Sequence, residues 1–142
     1  MSQPVVVDTN VLVSGLLSRE ADSPLSAILD GMIDGSLPFL LSPWLLAEYR
    51  AVLLRPRVQH YHGLSPREVD SILTEIAANG IWREPVESSA APDPGDDHLW
   101  RLLSAVPGSI LITGDRLLLQ NPPENASVLS PRSYLELQQW YE

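Results

Sequence analysis

The feature that most constrains the fold is the run Val5-Val6-Val7-Asp8 near the N-terminus. Three β-branched residues in a row read as a short strand buried on both faces, the pattern of a parallel sheet covered by helices. The strand stops at an acid. Asp is a poor strand residue and costly to bury, so a carboxylate there needs a reason. In an open α/β sheet, ligands bind at the carboxyl ends of the strands. On its own, Asp8 reads equally well as a cap for the helix that follows.

The rest of the chain repeats the theme. Leu37-Pro38-Phe39-Leu40-Leu41, Ile81-Trp82, Ile110-Leu111-Ile112 and Val128-Leu129 read as further short strands. Helices are expected between them. Ser23-Pro24, Ser42-Pro43, Ser65-Pro66 and Ser130-Pro131 are Ser caps followed by Pro at the first helical position. Ser65 and Glu68 complete a capping box. Arg55 to Gly63 reads as a connection, and its His60 and His62 as exposed loop residues rather than a metal pair. Short apolar strands alternating with helices predict an α/β fold: three layers, α/β/α, with a central parallel sheet of four to five strands flanked by helices. At 142 residues the chain is expected to be a single domain spanning 1–142.

Composition removes several chemistries. With no cysteine, there is no disulfide framework, thiolate metal site or Cys nucleophile. No Gly-rich phosphate loop or Gly-x-Ser-x-Gly elbow is present. An aspartyl-phosphate enzyme of the Asp-x-Asp type would need an acid at position 10, which is Asn10. The charge of −9 argues against a general nucleic-acid coat protein but not against a nuclease, because bound divalent cations reverse the local sign. No signal-like or membrane-spanning stretch is seen, so a cytoplasmic protein is the expectation.

Asp115 closes the strand Ile110–Ile112 as Asp8 closes the first, and parallel strands put both ends on one sheet edge. Glu48 shares a helix face with Trp44 and Val52, which would point it inward or along that edge, although on its own it reads better as a solvated or Arg-paired helix residue. Asp93-Pro94-Gly95-Asp96-Asp97 precedes an apolar helix that starts near the same edge. Helix capping explains one acid there, not three within five residues. Four converging carboxylates would repel one another unless Mg²⁺ or Mn²⁺ relieved them. Such a site suits metal-assisted phosphodiester hydrolysis.

These pieces resemble the PIN-domain family of metal-dependent ribonucleases, particularly the branch of toxins from toxin–antitoxin pairs. The matching segments are Val7-Asp8-Thr9-Asn10-Val11-Leu12-Val13-Ser14, Leu41-Ser42-Pro43-Trp44-Leu45-Leu46-Ala47-Glu48, Asp93 to Asp97, Thr113-Gly114-Asp115 and Ser130-Pro131-Arg132. They stand in family order along almost the whole chain. The resemblance implies a catalytic, metal-binding quartet of Asp8, Glu48, Asp97 and Asp115, with Asp96 as the alternative third acid. It also implies Asn10 and Thr113 as residues that orient those carboxylates. Mg²⁺ or Mn²⁺ would be the cofactor, RNA the substrate and an antitoxin protein the partner, with homodimerisation as a further trait of such relatives. Arg19, Arg50, Arg55, Arg57 and Arg116 are the RNA-binding candidates. One departure is Leu117, where many relatives carry a further acid. Two other readings stay open: a catalytically silent PIN-like interaction domain, and a phosphohydrolase of small phosphoesters.

Overall fold

The computed structural model describes residues 3–18 and 23–141, with side chains described to residue 138. Five short strands, all in parallel pairs, carry the described fold. β1 (Val5–Val7) pairs with β4 (Ile110–Ile112), which pairs with β5 (Ser127–Leu129). β2 (Leu40–Leu41) and β3 (Ile81–Trp82) form a separate two-stranded ladder. A single parallel bridge from Val5 to Phe39 links the ladders, beside the Val5 N–H bonded to the Pro38 carbonyl at 3.0 Å. The expected sheet is therefore present but divided three and two. Pro38 has no N–H to offer, which stops the β1–β2 ladder from extending backwards.

The Ser-Pro starts behave as the sequence predicts. α1 (Thr9–Leu17) follows β1 directly; α2 (Pro24–Asp34), α3 (Pro43–Leu53) and α5 (Pro66–Asn79) have Pro in the first turn. The hydroxyls of Ser23, Ser42 and Ser65 accept the N–H groups of Ser26, Leu45 and Glu68. The Glu68 carboxylate returns a bond to the Ser65 N–H at 3.1 Å, completing the capping box. α6 (Asp97–Ala105), α7 (Arg116–Gln120) and α8 (Pro131–Tyr141) complete the set.

One segment departs from expectation. Residues expected to be a plain connection form α4 (Pro56–His62), with Pro56 in its first turn and Gly63 ending it at φ 70°. That positive φ suits glycine, which has no Cβ to clash. His62 fastens this helix. Its Nδ1 accepts the Leu64 N–H at 2.9 Å, so Nε2 carries the proton and donates to the Leu53 carbonyl at 2.9 Å. Both ring nitrogens are thus used for structure.

β1, β4 and most of the facing helix residues form one apolar core. Gly15 lets α1 and α2 meet: a Cβ there would lie 2.9 Å from the Leu25 carbonyl oxygen and 3.1 Å from Leu29 Cβ. Tyr49, fully buried on α3, donates its hydroxyl to the Val7 carbonyl at 2.5 Å and ties that helix to the end of β1. From β1 the chain moves through β2 to β3; from β4 it moves the opposite way to β5. Parallel crossovers are right-handed, so connections running in opposite directions lay their helices on opposite faces. The reversal falls between β1 and β4, where such sheets open a crevice at their carboxyl ends. No helix of the described residues is long and apolar enough to cross a membrane.

Candidate active site

Asp8 and Asp115 stand at that crevice because each follows one of its two strands. The Asp8 N–H still belongs to the sheet, bonding to the Ile112 carbonyl at 3.0 Å. Its carboxylate makes no capping bond to α1. Instead Asp8 Oδ2 accepts the Thr113 hydroxyl at 2.7 Å. The same hydroxyl oxygen accepts the Asp115 N–H at 3.0 Å. Buried Thr113 therefore fixes both acids at once. Asp115 Oδ1 accepts the Leu117 N–H at 2.9 Å and caps α7. Each carboxylate has about four lone-pair directions, so both acids keep acceptor capacity beyond these bonds.

Glu48 reaches the same place from α3. Its Oε2 accepts the hydroxyl of buried Thr9, the residue after Asp8. Its Oε1 lies 3.4 Å from His98 Nε2 on α6. Both His98 ring nitrogens are shielded from solvent and make no hydrogen bond among the described residues. Glu48 and the neighbouring Tyr49 thus both bind the β1–α1 junction, so α3 is held in register with Asp8.

The acidic segment before α6 divides its labour. Asp93 accepts the Gly95 N–H at 2.9 Å and stabilises the 3-10 turn at Pro94–Asp96. Asp97, expected to be the third acid, turns back to accept the Ala91 N–H at 2.8 Å. Asp96, the alternative, feels the negative charge of Asp8, Asp93, Asp115 and Glu48. With burial as the leading cause, these neighbours push its carboxyl up to about 6. The turn ends at Asp96 and α6 begins at Asp97, so consecutive side chains leave in different directions.

Burial is also the main reason the Asp8 carboxyl lies above its ordinary value, 7% exposed as Asp8 is; Glu48 and Asp115 add to the rise, while Thr113 and the Thr9 N–H oppose it. Asp8, Glu48, Asp96 and Asp115 are therefore one electrostatic group. Among the described residues, no three Asp, Glu or His side chains close around a single point as a ready-made cage. The donor set nevertheless suits a hard cation. Mg²⁺ retains several waters and takes only one or two carboxylates directly, so spaced oxygens suffice. Positive charge there would also relieve the repulsion that lifts Asp8 and Asp96.

The other expected residues are scattered. Asn10 is exposed and lines the cleft, with no hydrogen bond to any of the four acids. Arg50 is occupied by Asp70 on α5, at 2.8 and 3.3 Å. Arg55 and Arg57 are exposed around the start of α4, Arg116 is exposed beside Asp115, and Arg19 lies outside the described residues. Thr9 and His98 were not singled out from sequence, although Thr9 adjoins Asp8 and His98 adjoins the acidic run. Trp44, one turn before Glu48 on α3, leaves 66% of its surface exposed.

A sequence profile described as a PIN domain matches residues 4–117. Comparison with curated proteins finds no match.

Proposed function

This chain belongs to the PIN-domain family, and from that premise we propose that it is a Mg²⁺- or Mn²⁺-dependent endoribonuclease. Members of the family are generally metal-dependent nucleases. The observation that carries the proposal is the electrostatic group at the β1–β4 crevice, where burial first, and then the charges of Asp8, Asp93, Asp115 and Glu48, raise Asp96 to about 6. Such repulsion costs stability unless a cation offsets it, and it belongs to a site built for one.

In this reading Asp8, Glu48, Asp96 and Asp115 would hold a hydrated metal ion, directly or through its waters; when bound, it would supply an activated water and charge stabilisation on the phosphate. Thr113 positions Asp8 and Asp115, and Thr9 positions Glu48. Asp97 keeps the loop before α6 in place through Ala91. Arg116, next to Asp115 in the chain, and the exposed Trp44, one turn before Glu48, are candidate contacts for an RNA strand, one for phosphate and one for stacking on a base. The chain would serve in the cytoplasm as the toxin of a toxin–antitoxin pair, with a basic or apolar antitoxin segment covering the acidic cleft.

Purified protein incubated with a mixed RNA pool tests this. Cleavage that requires Mn²⁺ or Mg²⁺, stops with EDTA and is lost in folded Asp8→Asn and Asp96→Asn supports the nuclease reading. No cleavage by folded wild type with either metal moves the weight to a silent interaction domain.

A further inference from the structure

A cavity of about 740 Å³ opens beside Asp115, between α1, the start of α2 and the start of α8. This is within the usual range of ligand sites, about 300–1,000 Å³. Its walls differ in character. Val11 and Leu25 contribute apolar surface, and Asn10 and Ser14 contribute a carboxamide and a hydroxyl. Arg132, in the first turn of α8, brings the positive charge, and it forms no ion pair among the described residues. A chain of charge −9 repels anions over most of its surface, so a guanidinium lining the cavity beside Asp115 gives an anion a local foothold there.

We propose that this cavity binds the nucleotide next to the scissile phosphate, with Arg132 holding that nucleotide's own phosphate; the proposal rests on the ribonuclease reading. A nucleotide presents two apolar base faces, a hydrogen-bonding base edge and an anionic group. The cavity offers a counterpart to each: Val11 and Leu25 to the faces, Asn10 and Ser14 to the edge, Arg132 to the phosphate. Guanidinium suits phosphate because its forked donors can make two bonds at once. Asp115 lines the same cavity, so a strand seated there passes directly along the carboxylates. Arg132 is a positioning residue in this account and takes no part in bond breaking. The cavity makes base identity at that position the point at which the enzyme selects its substrate.

The test is an NMR titration with a 5′-phosphorylated dinucleotide in EDTA, where no cleavage can occur. The expected result is movement of the amide signals of Asn10, Ser14 and Leu25. Arg132→Gln should weaken the dissociation constant about tenfold, as loss of one charge-assisted contact would. Ser14→Phe, which fills the cavity, should abolish the shifts. Arg67→Gln, on the exposed start of α5, should bind within about twofold of wild type, a limit set by ordinary surface effects. Absence of binding, shifts confined to another surface, or equal affinity in Arg132→Gln and Arg67→Gln would overturn the subsite. If Ser14→Phe fails to fold, Arg132→Gln decides alone. Normal RNA cleavage beside an unaffected Arg132→Gln rejects the subsite and keeps the nuclease. Binding as described without metal-dependent cleavage keeps the nucleotide site and rejects the nuclease.

Discussion

Thr113 and Asp8, 105 positions apart in sequence, share a 2.7 Å hydrogen bond at the adjoining ends of two parallel strands. The hydroxyl gives its only proton to Asp8 and offers a lone pair to the Asp115 N–H. Thr113→Val keeps the shape and removes both bonds. It should cost about 1–3 kcal/mol, because a buried acceptor and an N–H lose their partner. The Asp8 carboxyl, relieved of a bond that favours its charged form, would rise further, and metal binding would need a higher pH. Thr113→Ser should restore the pH profile. Chemical denaturation and metal titration from pH 5 to 8 measure both effects.

Asp96 and Asp97 are expected to separate cleanly. Asp97→Asn loses the charge in its bond to the Ala91 N–H, costing about 1 kcal/mol, with cleavage retained. Asp96→Asn should abolish cleavage without destabilising the fold. Thermal melts and RNA cleavage on the two variants check this. Lost activity in folded Asp97→Asn, with activity kept in Asp96→Asn, would reverse the assignment.

The raised carboxyls give stability a definite pH dependence. An unfolded Asp titrates near 3.8, whereas Asp96 in the folded protein titrates at about 6. Between these values the folded state holds a proton that the unfolded state has released. The contribution is therefore greatest at low pH, falls as pH rises through this window, and is flat above it. Asp8, shifted in the same direction, adds to the trend. Asp96→Asn should gain stability relative to wild type at pH 8 and little at pH 4.

Metal should supply the missing stability. At a concentration about 100 times its Kd, a ligand that binds only the folded state adds about 2.7 kcal/mol. For a domain of this size that is a rise of several degrees in Tm, at roughly 2–4 °C per kcal/mol. The rise is expected at pH 8 and should shrink at pH 5, where protons compete for the same oxygens. Scanning calorimetry with and without Mn²⁺ reads it directly.

Trp44→Ala removes a ring that leaves 66% of its surface exposed. It should leave Tm and metal affinity nearly unchanged. If a base stacks there, affinity for single-stranded RNA falls by about 1–3 kcal/mol. Fluorescence anisotropy with a labelled RNA and the inactive Asp8→Asn background would measure the loss.

Much of this architecture is legible in the sequence because its signals are local. Ser-Pro pairs at 23, 42 and 65 write three helix starts, and the Val5–Val7 and Ile110–Ile112 runs write the two inner strands. An acid after each run places Asp8 and Asp115 on one edge. What escapes is whatever depends on direction or distance. α4 buries no residue fully and so leaves no apolar stripe to read, although Pro56 and Gly63 mark its ends. Apolar periodicity starts the helix near residue 98 but says nothing of where a side chain points in the preceding 3-10 turn. The bond from the Ala91 N–H to Asp97, which sets its carboxylate apart from that of Asp96, is likewise unreadable from the pattern. The Thr9–Glu48 bond joins residues 39 apart, and Arg132 meets the cleft only when the last helix is in place.

The most direct test of the central claim is Mn²⁺ binding by titration calorimetry at pH 8, in wild type, Asp8→Asn, Asp96→Asn and Asp97→Asn. Replacing residues that merely orient metal ligands typically costs about 10–100-fold in affinity, so Asp8→Asn and Asp96→Asn should lose at least as much. Asp97→Asn should remain close to wild type. Folded wild type with no measurable Mn²⁺ affinity, or one left unchanged by Asp8→Asn and Asp96→Asn, would contradict the account.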